Sequence, residues 1–308
     1  MVESTQVNSG SLLSPNRLAE AMLIAVTVVW GLTFAMVKIS LRELQPFVFM
    51  SYRFWLAFLV TGAFCVKKLR FIDREILRVG LLLGVLLYVS YAFQTFGLKY
   101  TTAGNAGFIT GLFIVFVPVL SVLVLREWPS PKAVVSVAIA LVGLGFLSIQ
   151  PNMRINSGDL LVLACAFSYS VHIILLDRYV KRYDLVLLTF LQMGVLALTN
   201  TASGLAFENF KMPSGGIVWA SIIVCGVFAS AVAFYVQGYA QRILTPVRTS
   251  MVLIMEPVFS VVFGIILLGE RLTWRGWVGC GLIFVGMVLT EIPGIRRRRK
   301  SLKKGKYG

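Results

Sequence analysis

Acidic residues, histidine and cysteine are scarce in this chain of 308 residues. It holds 13 Asp and Glu, one His and four Cys, and only 14% of its residues are charged, against roughly 25% in an average soluble domain. The cysteines show no CxxC spacing and have no neighbouring histidine; they are Cys65, Cys165, Cys225 and Cys280. Neither a zinc site nor a disulfide framework is indicated. We expect no metal and no cofactor.

The sequence also lacks the motifs of common catalytic machineries. No GxxxxGK[ST] loop occurs, so we expect no ATPase activity in the chain itself. A membrane enzyme would need a paired acid, a metal-ligand cluster or a nucleophile beside a base. One histidine and one carboxylate in the middle of an apolar run do not supply these groups. We therefore do not expect an enzyme, and the absence of repeated polar rings disfavours a channel.

Apolar residues, in contrast, make up 58% of the chain, which is more than a water-soluble core absorbs. Runs of about the length that crosses a bilayer occur ten times. They lie near residues 18–39, 46–66, 77–98, 103–125, 132–150, 158–177, 185–206, 216–241, 246–268 and 274–292. We predict an all-α integral membrane protein with ten transmembrane helices.

The positions of the basic residues predict the orientation. The formal charge is +16, and eight Lys or Arg residues lie between Arg296 and Lys306, after the last apolar run. Most other basic residues lie in joints on the same side as this tail, so the positive-inside rule predicts a cell inner (plasma) membrane protein with both termini cytoplasmic. A juxtamembrane basic tail faces anionic lipid. Membrane lipid is thus an expected partner, and nucleic acid is not.

The two halves of the chain resemble each other at a nearly constant spacing. The spacing that separates Gln94 from Gln237, here called the repeat offset, also separates Thr102 from Thr245 and Glu127 from Glu270. Nearer the start of each half the spacing is one helical turn shorter, which pairs Trp30 with Tyr169, Thr33 with His172, and Arg53 with Gln192. With five spans each, the second copy would enter the membrane from the opposite side, as in inverted-repeat transporters. The predicted boundaries are a tail at 1–17, repeats at 18–150 and 151–293, and a basic tail at 294–308.

Short motifs across nearly the whole chain resemble one family. They are Trp30-Gly31-Leu32-Thr33-Phe34, Tyr52-Arg53-Phe54, Gly97-Leu98-Lys99-Tyr100-Thr101, Glu256-Pro257-Val258-Phe259 and Leu268-Gly269-Glu270-Arg271-Leu272. In this order they are similar to EamA-type ten-helix permeases of the drug/metabolite transporter (DMT) superfamily. The resemblance implies two five-helix repeats, a central cavity, and export of small metabolites such as amino acids or related compounds. The first half departs from the second, because Val117-Pro118 comes one turn later than Glu256-Pro257 and has no acidic partner.

Three ionisable residues lie inside apolar spans, where charge is costly and commonly faces a cavity or a partner. Arg53 is a candidate clamp for a substrate carboxylate, or a structural residue that bonds backbone carbonyls. Glu256, beside Pro257, is a candidate proton carrier, or a group that fixes a broken helix. His172 is a candidate proton relay, or a satisfied hydrogen-bond partner. Pro118 and Pro257 are the predicted helix breaks.

Polar and aromatic residues at helical spacing predict the lining of the cavity. The repeat places Trp30 and Tyr169 at similar depth, near the midplane where transporter sites lie. The other cavity candidates are Arg53, Tyr88, Tyr91, Gln94, Asn105, Tyr235 and Gln237. Glycines in the tenth span serve internal packing or a homodimer contact.

The predicted function is secondary active transport of a small metabolite by alternating access around a midplane cavity, in the direction of export. The same residues are compatible with an uptake permease. A membrane receptor or scaffold that transports nothing is the alternative from a different class. Movement of a solute across liposomes by the purified protein would separate that alternative from the transporters.

Overall fold

The computed structural model describes residues 14–148 and 157–291, and within these ranges the chain is helical and has no strand. Thirteen α-helices occur there: α1 Pro15–Ser40, α2 Pro46–Cys65, α3 Arg74–Tyr100, α4 Ala103–Thr110, α5 Phe113–Leu120, α6 Pro131–Ser148, α7 Ser157–Val180, α8 Leu185–Phe207, α9 Gly216–Ile223, α10 Ala233–Ile243, α11 Pro246–Leu253, α12 Glu256–Leu268 and α13 Trp274–Glu291. The predicted basic tail, and the predicted amino-terminal tail up to residue 13, lie outside the described residues.

Eight helical stretches are long and apolar enough to cross a membrane. They are Pro15–Ser40, Pro46–Phe71, Arg74–Tyr100, Ala103–Leu125, Ser157–Val180, Leu185–Phe207, Gly216–Ile243 and Pro246–Leu268. The predicted spans at 132–150 and 274–292 contain shorter apolar helices, Pro131–Phe146 and Trp274–Thr290. Eight of the ten predicted spans therefore meet this criterion in the described part of the chain, and two have too short an apolar stretch.

Equivalent threonines begin equivalent helices in the two halves. The Thr102 hydroxyl accepts a hydrogen bond from the Asn105 backbone N–H (3.0 Å), and the Thr245 hydroxyl accepts one from the Arg248 N–H (3.3 Å). Each threonine thereby satisfies a backbone donor that the first turn of a helix leaves free. The repeat offset thus appears in local structure as the same N-cap at the start of α4 and of α11.

Helices that correspond in the two halves pack against each other. Helix α2 lies against α8, and α6 lies against α13. The contact of α3 with α7 has its counterpart in the contact of α10 with α1, and the contact of α5 with α7 has its counterpart in that of α12 with α1. A two-fold relation between the halves produces this pattern of like pairs and reciprocal pairs.

The contacts of the connecting segments divide them between two ends of the helix bundle. At one end the Lys68 ammonium pairs with the Asp184 carboxylate at 2.6 Å. At the other end the Glu43 carboxylate accepts a hydrogen bond from the Gly215 N–H at 3.3 Å. Each contact joins two segments that alternating spans place on the same side of a membrane.

Two helical stretches are interrupted at equivalent positions. Helix α4 gives way to α5 at Gly111–Leu112, and α11 gives way to α12 at Ile254–Met255, one repeat offset later. Pro257 lies in the first turn of α12, directly after its break. Pro118 instead lies inside α5, after the first break, so that break does not coincide with the proline as the sequence predicted.

Close packing between the halves explains where the first break falls. A Cβ atom added at Gly111 would lie 2.7 Å from Pro257 Cγ and 3.1 Å from a Leu144 methyl group. The two interruptions therefore touch, where α4 passes α12. Helix α5 continues past Pro118 and is followed by one π-helical turn, Ser121–Leu125. Such turns, with hydrogen bonds between residues five apart, occur as local irregularities of helices.

Gly31 permits a similar close approach between α1 and α12, and its replacement tests that contact. A Cβ atom there would lie 2.8 Å from two backbone atoms, Phe259 C and Ser260 N, which cannot rotate away. Gly31→Ala is expected to destabilise the protein by about 1–3 kcal/mol, the usual cost of overpacking. Gly145→Ala is the matched control, since nothing lies within 4 Å of its added Cβ. Equal melting temperatures of the two purified variants would contradict this account.

Candidate functional site

A small cavity lies at the contact between the two halves. Its volume is about 30 Å³, which is room for about two water molecules. The lining residues come from α1, α3, α4, α7, α10 and α12; they are Trp30, Thr33, Ser90, Tyr91, Gln94, Thr110, Cys165, Tyr169, Phe234 and Glu256. Both halves of the chain therefore build the wall.

Four aromatic rings surround this space. The Trp30 and Tyr169 rings meet edge to face, with their centroids 6.0 Å apart. The centroid of Phe234 lies 5.6 Å from that of Trp30 and 6.2 Å from that of Tyr91. These distances are within the favourable range for aromatic pairs. Repeat symmetry thus brings Trp30 and Tyr169 not only to similar depth but into contact.

The polar atoms of two of these rings are engaged by protein partners. Trp30 Nε1 donates to the Ala229 carbonyl at 2.8 Å, and the Tyr169 hydroxyl donates to Gln237 Oε1 at 3.1 Å. Gln237 donates in turn to Gln241 (3.2 Å), which donates to the Ile173 carbonyl (2.8 Å). Both glutamines are fully buried. This amide chain holds the Tyr169 hydroxyl and links α7 to α10.

Glu256 is the acidic residue of the wall. It lies in the first turn of α12, directly after the break, and it is 4% exposed. Among the described residues, no group donates a hydrogen bond to its carboxylate, and no cation pairs with it within 4 Å. The break in the helix thus places a carboxylate at the cavity with its acceptor positions open.

Arg53 lies behind the cavity wall and does not line it. It is 2% exposed, and its guanidinium donates to the Ser230 hydroxyl (2.9 Å) and to the Tyr91 hydroxyl (3.2 Å). Its Cζ also lies 4.6 Å from the centroid of the Tyr91 ring, within cation–π range. Ser230 belongs to a π-helical segment, Val224–Val232, and donates to the Cys225 carbonyl. Arg53 thus ties that segment to Tyr91.

His172 occupies a similar position behind Tyr169. It is fully buried, its Nε2 donates to Gln192 Oε1 at 2.8 Å, and its ring stacks on Tyr169 with centroids 6.0 Å apart. Gln192 donates to the Leu188 carbonyl at 3.0 Å, which fixes the amide. His172 thus has one hydrogen bond, through Nε2, whereas its buried Nδ1 has no partner among the described residues. Its ring supports the aromatic wall residue Tyr169.

Comparison with known proteins explains the shared architecture. The model of the EamA-like transporter family matches residues 17–149 and again residues 156–292. The chain belongs to the EamA-like transporter family. The two matches follow the two halves that pack on each other, and they make this chain a two-repeat membrane transporter of that family.

Related proteins span almost the full length of this EamA-like chain. An uncharacterized transporter of Archaeoglobus fulgidus is 31% identical, over 89% of this chain and 86% of its own length. A probable amino-acid metabolite efflux pump of Salmonella typhimurium is 25% identical, over 92% and 98% of the two chains. A solved crystal structure at 19% identity covers 89% of this chain and 98% of its own, with a TM-score of 0.75. That likeness shows a shared fold.

Not every predicted cavity residue of the EamA-like chain reaches the wall. The predicted residues that line the cavity are Trp30, Tyr91, Gln94, Tyr169 and Glu256. Gln237 does not line it, but accepts a hydrogen bond from the wall residue Tyr169.

Three other candidates lie elsewhere. The Tyr88 hydroxyl bonds the Ser203 hydroxyl at 2.6 Å. Tyr235 is 41% exposed and lines an apolar crevice between α2 and α8. Asn105 lines a separate cavity beside Glu270. None of the three lines the central cavity.

Five wall residues were not predicted from the sequence: Thr33, Ser90, Thr110, Cys165 and Phe234. The repeat contains the signal for Phe234, because Tyr91 is its equivalent at the repeat offset. Thr33 could be found in the same way, as the partner of His172. Small residues such as Ser90 and Cys165 give no sequence signal, since they occur throughout packed membrane helices.

Proposed function

We propose that this EamA-family protein is a secondary active transporter that exports small metabolites, such as amino acids or related compounds, by alternating access. One observation carries the proposal: the cavity wall is shared between the two repeats, so movement of one repeat against the other changes access to the cavity. The amino-acid efflux named for the Salmonella relative supports this substrate class and this direction.

The proposed architecture is ten membrane helices in two inverted repeats, at 18–150 and 151–293. In this architecture α6 and α13, which pack together, are the fifth and tenth spans. Their apolar stretches are shorter, and the bilayer becomes locally thinner or flanking residues reach to its surface to accommodate them. The basic residues near the Lys68–Asp184 end support a cytoplasmic location for that end and for both tails, at 1–17 and 294–308, in a protein of the cell inner membrane.

The proposed roles follow from position. Trp30, Tyr91, Tyr169 and Phe234 contact the substrate, and Glu256 binds and releases the coupling proton. Arg53 and His172 hold wall residues in place. A cavity of about 30 Å³ is far below the roughly 300 Å³ of ordinary ligand sites. The transport cycle therefore requires a second conformation in which the repeats separate and the cavity widens.

Metabolite export gives a direct test. Cells that overproduce the wild-type chain are compared with cells that hold the Arg53→Ala, Glu256→Ala double variant at equal membrane abundance. We expect a small set of compounds to accumulate in the medium of the wild-type cells only. Purified wild-type protein in liposomes should move the same compounds. If it moves no solute in either direction, the receptor or scaffold alternative is favoured.

A further inference from the structure

The ionisable charge in the wall of the central cavity is of one sign. Glu256 contributes a carboxylate, whereas no lysine, arginine or histidine of the described residues lines the space. An ionised carboxylate only accepts hydrogen bonds, and an uncompensated charge inside a membrane protein is costly. A positively charged ligand group would relieve that cost, and a second carboxylate would add to it.

The aromatic rings of the wall favour the same sign of charge. A cation within about 6 Å of an indole, phenol or phenyl face is attracted by the ring quadrupole, most strongly by tryptophan. Trp30 and Tyr169 direct their polar atoms to Ala229 and Gln237. Their ring surfaces, with that of Phe234, are what remains for a ligand. A carboxylate ringed by aromatic surfaces is suited to an ammonium group.

Two hydroxyl groups of the wall, those of Thr33 and Ser90, can direct their donors to backbone carbonyls and not to the cavity. Thr33 donates to the Trp30 carbonyl at 2.7 Å, and Ser90 donates to the Leu86 carbonyl at 2.8 Å. Each oxygen keeps lone pairs that can accept from a ligand. Gln94 uses one amide N–H on Thr110 and keeps a neutral donor. The wall therefore offers acceptors to an ammonium group and only neutral donors to a carboxylate.

Arg53 is the cation that favours the rival ligand, a zwitterion whose carboxylate approaches the guanidinium. Its Nε and Nη2 are bonded to Ser230 and Tyr91, and Arg53 is not among the residues that line the cavity, whereas Tyr91 is. The positive charge of Arg53 thus acts on the ring it holds rather than directly on the ligand.

We propose that the cavity selects metabolites that carry an ammonium group and no free carboxylate, with the ammonium held between Glu256 and the rings of Trp30, Tyr169 and Phe234. The ligand class is an organic amine with a small apolar or aromatic body. This inference rests on the proposed transport function and restricts its substrate class: it keeps amines that are related to amino acids, and it excludes the amino acids themselves because they carry a free carboxylate.

Three probes of nearly equal shape test it: phenethylamine, phenylalanine and 3-phenylpropanoate. They share a phenylalkyl body and are a cation, a zwitterion and an anion at neutral pH. Equilibrium binding of each labelled probe is measured on the purified full chain, and its uptake is measured in proteoliposomes. We expect wild-type protein to bind phenethylamine at least about tenfold more tightly than phenylalanine, a difference of about 1.4 kcal/mol, and to bind 3-phenylpropanoate least.

Variants of wall residues then test whether the cavity wall causes the preference for phenethylamine. Glu256→Gln should bring the three affinities within about threefold of one another, and Trp30→Leu should weaken phenethylamine binding about 2- to 30-fold, the range for a cation–π contact. The control Glu127→Gln, at an exposed loop residue, should keep the wild-type order. Tighter binding of phenylalanine or 3-phenylpropanoate, or no binding of phenethylamine, overturns the ammonium inference. Wild-type-dependent uptake of any solute would still leave the transport proposal standing, whereas no uptake at all would overturn both.

Discussion

Glu256→Gln is expected to lower the rate of transport by about 10- to 150-fold, the range set by the loss of a charged hydrogen-bond partner worth about 1.5–3 kcal/mol. Glutamine has nearly the same shape, and the carboxylate accepts no hydrogen bond from a described residue, so the fold should be retained. If Glu256 is the proton carrier, the flux that remains should also lose the pH dependence of the wild type. Proteoliposome uptake at several pH values measures both effects.

The control for Glu256→Gln is Glu127→Gln, which removes a carboxylate from an exposed loop. It should leave both the rate and the pH dependence unchanged. Both variants are compared at equal reconstitution, after melting curves show that they are folded. A folded Glu256→Gln protein with wild-type flux and wild-type pH dependence would remove Glu256 from substrate binding and from coupling.

Arg53→Lys is expected to lower transport about tenfold, because a lysine ammonium cannot reproduce the fork that holds Ser230 and Tyr91 together. Since Arg53 lies behind the wall, the loss should be similar for every solute that the protein carries. Uptake of a series of transported solutes measures this. A loss confined to solutes with a carboxylate would show direct contact with substrate, as the sequence alone also allowed.

A double-variant comparison separates positioning from general destabilisation at Arg53. Tyr91→Phe keeps the ring and removes the hydroxyl that Arg53 bonds. If Arg53 acts through Tyr91, the Arg53→Lys, Tyr91→Phe protein should lose little more transport than the more affected single variant, because coupled residues are not additive. Two independent losses that multiply would show that the Arg53–Tyr91 hydrogen bond does not carry the effect.

The helices and their pairing could be predicted from the sequence to a large extent. The apolar runs predicted at 46–66 and 246–268 begin where α2 and α11 begin, at Pro46 and Pro246, and the repeat offset marked the second copy. The interruption at Gly111 was not predicted, and it lies in contact with Pro257 from the other half. A local pattern contains no information about such a contact, and Pro118 misdirected the prediction for that reason.

The candidate site could be predicted in part, and the errors have a geometric cause. Successive residues on a helix point about 100° apart, so the polar Tyr235 faces a crevice while its neighbour Phe234 faces the cavity. A search for polar residues chooses the wrong member of that pair. Arg53 was a candidate substrate clamp or a structural residue, and His172 a candidate proton relay or a hydrogen-bond partner. In the structure each contacts a tyrosine of the wall. The sequence shows which residues are unusual in a membrane helix. Only the packing of the helices shows whether such a residue lines the cavity or lies behind its wall.

The buried amide chain from Tyr169 through Gln237 and Gln241 has a consequence for the energy supply of the cell. Among the described residues, both glutamines are wholly buried and bonded to protein groups on their way to the Ile173 carbonyl. In this conformation, the oxygen and nitrogen of both amides are bonded to protein groups, so a water molecule or ion that entered this layer would have to break those bonds. A membrane potential of 100 mV drives each leaking charge with about 2.3 kcal/mol. The intact amide chain therefore opposes such a leak through the idle protein.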